Sequence, residues 1–175
     1  LVEPLPPSPD FPAEAPAVPV HRAVLEQARL SPDRTAVVAG GDRWTYGELA
    51  ASSARLAHRL RALGVGPDRP VALLLERSFA FVSAMLGTLL AGGAYVPLDP
   101  AYPKALVHEL VVDCGPRVVL TQSRLADTLS GCAAPQVIVV DDASADTASE
   151  LADDLADGAE LRHAAYLIYT SGSTG

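Results

Sequence analysis

Six consecutive residues, Thr170-Ser171-Gly172-Ser173-Thr174-Gly175, carry four hydroxyls and two glycines at the end of the sequence. Glycines let neighbouring backbone N–H groups turn toward one point, and hydroxyls add further donors, so this composition suits the oxygens of an oligophosphate. The apolar run before it, Ala165 to Tyr169, reads as a buried strand that would deliver the loop. A flexible turn or linker has the same composition, because Gly and Ser are used wherever a chain must bend. The loop is not of the Walker type, since no Gly-Lys-Ser/Thr follows a first glycine at the required spacing. None of the hydroxyls reads as a nucleophile, because spacing identifies no general base beside one, and no catalytic residue is assigned.

The elements that must position this loop alternate. Val20 to Arg29 reads as a helix stopped before Pro32, and Thr35 to Ala39 with Arg43 to Thr45 flank Gly40-Gly41 as a hairpin. Thr45 and Glu48 make a Thr-x-x-Glu capping box, followed by Leu49, Ser53, Leu56, Leu60 and Leu63 on one helical face, with Gly64 ending the helix and Val65 packing back. The pattern then repeats as strand Val71 to Leu75, helix Ser78 to Ala91, strand Ala94 to Pro97 and helix Pro103 to Asp113. Strand Arg117 to Thr121, a helical stretch near Ser123 to Leu129 and strand Gln136 to Val140 follow. Strands of continuous Val, Ile and Leu between helices predict an α/β fold, a mostly parallel sheet flanked by helices, which Ala165 to Tyr169 would extend.

Composition narrows the function classes. The chain of 175 residues is 49% hydrophobic and 19% charged, which fits a soluble globular protein. Nothing reaches the length of a membrane span or has the layout of a secretion signal, so a cytoplasmic location is expected. The net charge of -8 is local, because Asp141 to Glu160 holds eight carboxylates and no Lys or Arg, leaving 13 acids against 13 bases elsewhere. Such a run is a solvated face, and the balanced remainder offers no basic stripe for nucleic acid. Cys114 and Cys132 lie far apart and no histidines cluster, so neither a zinc site nor a disulfide framework is expected. His21, His58, His108 and His163 are assigned no chemistry.

Seven of the fifteen prolines fall between Pro4 and Pro19, so residues 1–19 read as a Pro-rich linker and 20–175 as the folded part. The start at Leu1 instead of Met fits a segment of a longer polypeptide.

Two further segments, Trp44-Thr-Tyr-Gly-Glu-Leu-Ala50 and Leu89-Leu-Ala-Gly-Gly-Ala-Tyr-Val-Pro-Leu-Asp-Pro-Ala-Tyr-Pro103, accompany the loop. Together, in this order, the three resemble the opening motifs of the amino-acid-activating adenylation domains of nonribosomal peptide synthetases. Leu63 to Pro67 and Val71 to Arg77 also look like that family, and the resemblance runs from about His21 to Gly175. It implies a truncated opening part of the large N-terminal domain of an adenylate-forming enzyme. There, Thr170, Ser171, Gly172, Ser173, Thr174 and Gly175 would bind the phosphates of ATP with Mg²⁺. An amino acid carboxylate would attack the α-phosphate, and the acyl group would pass to phosphopantetheine on a carrier domain. A condensation domain would precede the linker. Because the family's amino-acid pocket and catalytic lysine lie downstream, the fragment alone is expected to be inactive. Lys104-Ala105-Leu106 replaces the family's acidic-basic pair, at a surface that contacts an MbtH-like helper protein in some members. Trp44, Thr45, Tyr46, Glu48, Tyr95, Asp99 and Tyr102 have full structural explanations in packing, caps and turns. An aryl- or acyl-CoA ligase fragment and a non-enzymatic α/β interaction module are the alternative readings.

Overall fold

The computed structural model describes residues 18–133, 136–141 and 159–170. In chain order the elements are α1 (Val20–Leu30), β1 (Thr35–Ala39), β2 (Asp42–Thr45), α2 (Tyr46–Ala62), β3 (Pro70–Leu74), α3 (Phe79–Leu90), β4 (Ala94–Leu98), α4 (Lys104–Cys114), β5 (Val118–Thr121), a 3₁₀ helix (Ser123–Leu129) and β6 (Val137–Val139). The linker reading for 1–19 falls outside the described residues except at Val18 and Pro19, which lead into α1.

β1 and β2 form an antiparallel hairpin across Gly40-Gly41, and β4, β3, β5 and β6 form a parallel sheet in that order. β3 lies between two neighbours, and Val71, Ala72, Leu73 and Leu74 have no exposed surface. Because side chains alternate across a strand, Val71 and Leu73 join one core with Leu60, Ala84 and Leu90 of α2 and α3. Ala72 and Leu74 join a second core with Val107 and Val111 of α4 and Leu129 of the 3₁₀ helix. Helices therefore cover both faces, which is why these strands show no polar alternation.

Caps terminate the helices as expected. Thr45 Oγ1 accepts from Glu48 N at 3.2 Å while Glu48 Oε2 accepts from Thr45 N at 2.7 Å, closing the reciprocal box at the start of α2. At its end Gly64 takes the left-handed conformation, φ +81°, and Val65 N donates to Leu60 O at 3.0 Å. Arg117 Nε donates to Leu63 O at 2.9 Å, satisfying another terminal carbonyl. Ser78 caps α3, its Oγ accepting from Phe81 N at 3.3 Å. Pro103 sits one position earlier than expected, as the N-cap of α4.

The two aromatic-rich motifs are structural. Trp44 stacks on Phe79 with ring centroids 4.9 Å apart, fastening the hairpin to the start of α3. After β4, Asp99 Oδ1 accepts from Ala101 N at 2.8 Å and Tyr102 N donates to Asp99 O at 3.0 Å, which makes the turn into α4.

Candidate functional site

The approach to the hydroxyl-rich loop is built at the free edge of β4. Ala164 N donates to Asp68 Oδ1 at 2.9 Å, and Asp68 holds φ +57°, a left-handed conformation that Asp tolerates in turns. Tyr95 N then donates to Ala165 O at 3.1 Å and Leu167 N to Tyr95 O at 3.0 Å, a parallel pairing centred on Tyr95 and Tyr166. The two tyrosine rings lie 5.7 Å apart, tilted by 33°.

Here the sequence expectation requires correction. Ala165 to Tyr169 is not a buried strand: the pairing is an isolated bridge, and Tyr166, Leu167 and Ile168 are exposed. In a parallel ladder every second residue of β4 faces this edge, so after Tyr95 the next donor would be residue 97. Residue 97 is proline and has no N–H, and the bonding stops at Leu167.

Beyond Leu167 the hold passes from backbone to side chain. The ring of Tyr169 packs against the core formed by α4, β4 and the 3₁₀ helix, beside Cys114 and Cys132. Its hydroxyl donates to Asp113 Oδ2 at 2.6 Å. Burial of the ring, and next the bond to this carboxylate, push the phenol well above its ordinary value, so it remains a donor. Thr170 follows directly and is exposed. The other expected phosphate ligands, Ser171, Gly172, Ser173, Thr174 and Gly175, lie outside the described residues.

Sequence reasoning missed a polar cluster at the carboxyl ends of β3, β5 and β6. The connection after β3 leads to β4 on one side and that after β5 leads to β6 on the other, which makes this the topological switch point of the sheet. Arg124 Nη2 pairs with Glu76 Oε2 at 2.6 Å, and the buried Gln122 accepts from Glu76 N at 3.1 Å. Ser123 donates through both N–H and O–H to the Asp141 carboxylate, and the hydroxyl bond foremost holds that carboxylate below its ordinary range. The signal available in the sequence was position alone, since Glu76 and Gln122 stand just past the apolar runs that form β3 and β5. These polar groups pair with one another, while the buried Thr121 hydroxyl at the end of β5 has no hydrogen-bond partner.

A cleft of about 270 Å³ lined by Ser52, Arg55, Arg59, Ser83 and Asp141 lies on the α2–α3 side of the sheet, opposite the Tyr169 ring. His108 bonds to Thr128 O at 2.8 Å, and His163 Nδ1 accepts from Glu160 N at 3.0 Å. His21 is buried on α1. Among the described residues no group of three His, Cys, Asp or Glu could hold a metal ion, and no helix is long and apolar enough to cross a membrane.

Comparison with known proteins places this geometry. The AMP-binding enzyme family matches residues 24–175. Surfactin synthase subunit 1 of Bacillus subtilis (strain 168) is 42% identical over 150 residues, which are 86% of this chain and 4% of that protein. Chondramide synthase cmdD of Chondromyces crocatus is 43% identical over 163 residues, 89% of this chain and 4% of that protein. A crystal structure of the nonribosomal peptide synthetase FmoA3 in its AMPPNP-bound form superposes with a TM-score of 0.74 at 40% identity, covering 93% of this chain and 17% of the other. The chain thus spans a small part of each relative's length. It belongs to the AMP-binding enzyme family, with the α/β fold of the N-terminal part of a nonribosomal peptide synthetase adenylation domain.

Proposed function

We propose that the chain is the opening part of an adenylate-forming domain that activates an amino acid with ATP, releases pyrophosphate and passes the acyl group to a phosphopantetheine thiol. The observation that carries this reading is the path of Ala165 to Thr170. At Tyr166 it pairs parallel to β4, the sense that points toward the carboxyl edge of the sheet where ligands gather in open α/β folds, and Thr170, three residues after the last backbone bond, is exposed. In this reading Thr170, Ser171, Ser173 and Thr174 donate to the phosphates while Gly172 and Gly175 allow close approach.

The chemistry asked of the loop is stabilisation of charge that builds on the departing pyrophosphate. Neutral N–H and O–H donors held in place beforehand suit that task and need no proton transfer. Mg²⁺ bound to the phosphates would neutralise part of their charge, as is usual for nucleotide sites. The amino acid pocket, the carrier and condensation domains and an MbtH-like helper belong to the longer protein in this proposal, and residues 1–19 serve as the linker to the preceding domain. By itself the 175-residue chain is inactive in it.

The deciding experiment is ATP–pyrophosphate exchange by the full-length protein with a panel of amino acids, followed by product analysis with CoA and aryl or fatty acids. Exchange dependent on one or a few amino acids is expected. Thioester formation with CoA and an aryl or fatty acid, with no amino-acid-dependent exchange, would overturn the proposal, as would robust exchange by the isolated chain for its last clause.

A further inference from the structure

We infer that Tyr169 and Asp113 together form the anchor that sets the entry of the Thr170–Gly175 loop, which makes them positioning residues for the nucleotide phosphates. Their role toward the phosphates rests on the reading of that loop as the phosphate site.

Backbone pairing does not provide the anchor. It ends at Leu167, where Pro97 has no N–H for the next bond, and Ile168 beyond it is 59% exposed. Tyr169 is the next residue that is held: its half-buried ring packs against the α4 core and its hydroxyl reaches the exposed Asp113 at 2.6 Å. One peptide bond separates it from Thr170, so the position of Thr170 follows from where this side chain is fixed.

Asp113 is informative in its own right. It occupies the last turn of α4, where a negative charge opposes the helix dipole and where no basic residue offsets it. Among the described residues its carboxylate has one hydrogen-bond partner, the Tyr169 hydroxyl. A carboxylate placed against the dipole does nothing for the helix, whereas it accounts for the orientation of the phenol 56 positions away in the chain. The raised phenol keeps its proton across the range in which the protein works, so the donor is always available.

The test is made in the full-length protein with Tyr169→Phe, Asp113→Ala and Asp113→Asn. It uses ATP–pyrophosphate exchange, thermal unfolding and amide hydrogen exchange of the peptide spanning 167–170. Tyr169→Phe keeps the ring packing and removes the donor, and Asp113→Asn keeps an acceptor. For Tyr169→Phe and Asp113→Ala we expect the KM for ATP to rise about threefold to tenfold, at most about 1.4 kcal/mol, as one hydrogen bond to a charged group allows. The KM for the amino acid and the unfolding temperature stay unchanged, amide exchange of the peptide quickens, the double variant is no worse than either single one, and Asp113→Asn behaves as the parent. An unchanged KM for ATP together with unchanged amide exchange overturns the anchor. Equal losses in both KM values and in unfolding temperature also overturn it, by assigning the pair to fold stability. If the unaltered protein shows no exchange activity at all, the phosphate reading fails, and the amide exchange of the variants alone decides whether the anchor exists.

Discussion

A Cβ placed on Gly93 would lie 2.7 Å from Cγ1 of Val65 and 3.0 Å from the carbonyl oxygen of Arg69. Val65 is the residue that folds back to close α2, so the turn before β4 is pressed directly onto the end of that helix. Gly93→Ala should therefore destabilise the protein by about 1 to 3 kcal/mol, the usual cost of overpacking. Urea unfolding measures it, and an unchanged midpoint would show that Val65 gives way freely.

The capping box at Thr45 and Glu48 should contribute stability and nothing to substrate recognition. Thr45→Ala is expected to cost about 1 kcal/mol, with Glu48→Ala costing less and the two coupled in a double-mutant cycle. KM values for ATP and amino acid should stay at the parental level. A selective change in either KM would mean that this motif touches substrate.

Burial, with a smaller contribution from Arg22, lowers His21 below its ordinary value of 6.5. The folded state thus favours the neutral ring, and below that pH the unfolded chain binds more protons than the folded one. Stability from this source is present above 6.5 and is lost as the pH falls through the depressed folded value. His21→Leu should flatten the fall in unfolding temperature between pH values of about 7 and 5. Parallel curves for parent and variant would exclude the effect.

Thr170→Ala should raise the KM for ATP or lower kcat. A single donor at a dedicated anion site is worth about 2.7 to 4 kcal/mol, and shared among several hydroxyls the loss should be about tenfold. Thr170→Ser should restore most of the activity. Parental kinetics in the alanine variant would place the phosphates elsewhere.

The parts legible in the sequence were those governed by neighbours in the chain. The capping box spans four residues, the hydrophobic runs announce β3 and β5, and the glycine after Leu63 announces the end of α2. The parts that were not legible depend on partners far away. Whether Ala165 to Tyr169 pairs as a strand depends on another strand, where Pro97 lacks the N–H for the next bond, and no property of the segment itself reports that. The Tyr169–Asp113 and Glu76–Arg124 pairs likewise join residues brought together only by the parallel topology. The stretch from Ser123 to Leu129 was correctly helical in outline, and its 3₁₀ geometry fits a short connector between adjacent strands.

Pro97 also has a mechanical meaning. A segment zipped along the whole of β4 would be bound at every second residue, whereas this one is tied to the strand by two amide contacts alone. The stiffness of the joint before Thr170 is then a property of one phenol ring and the helix it leans on.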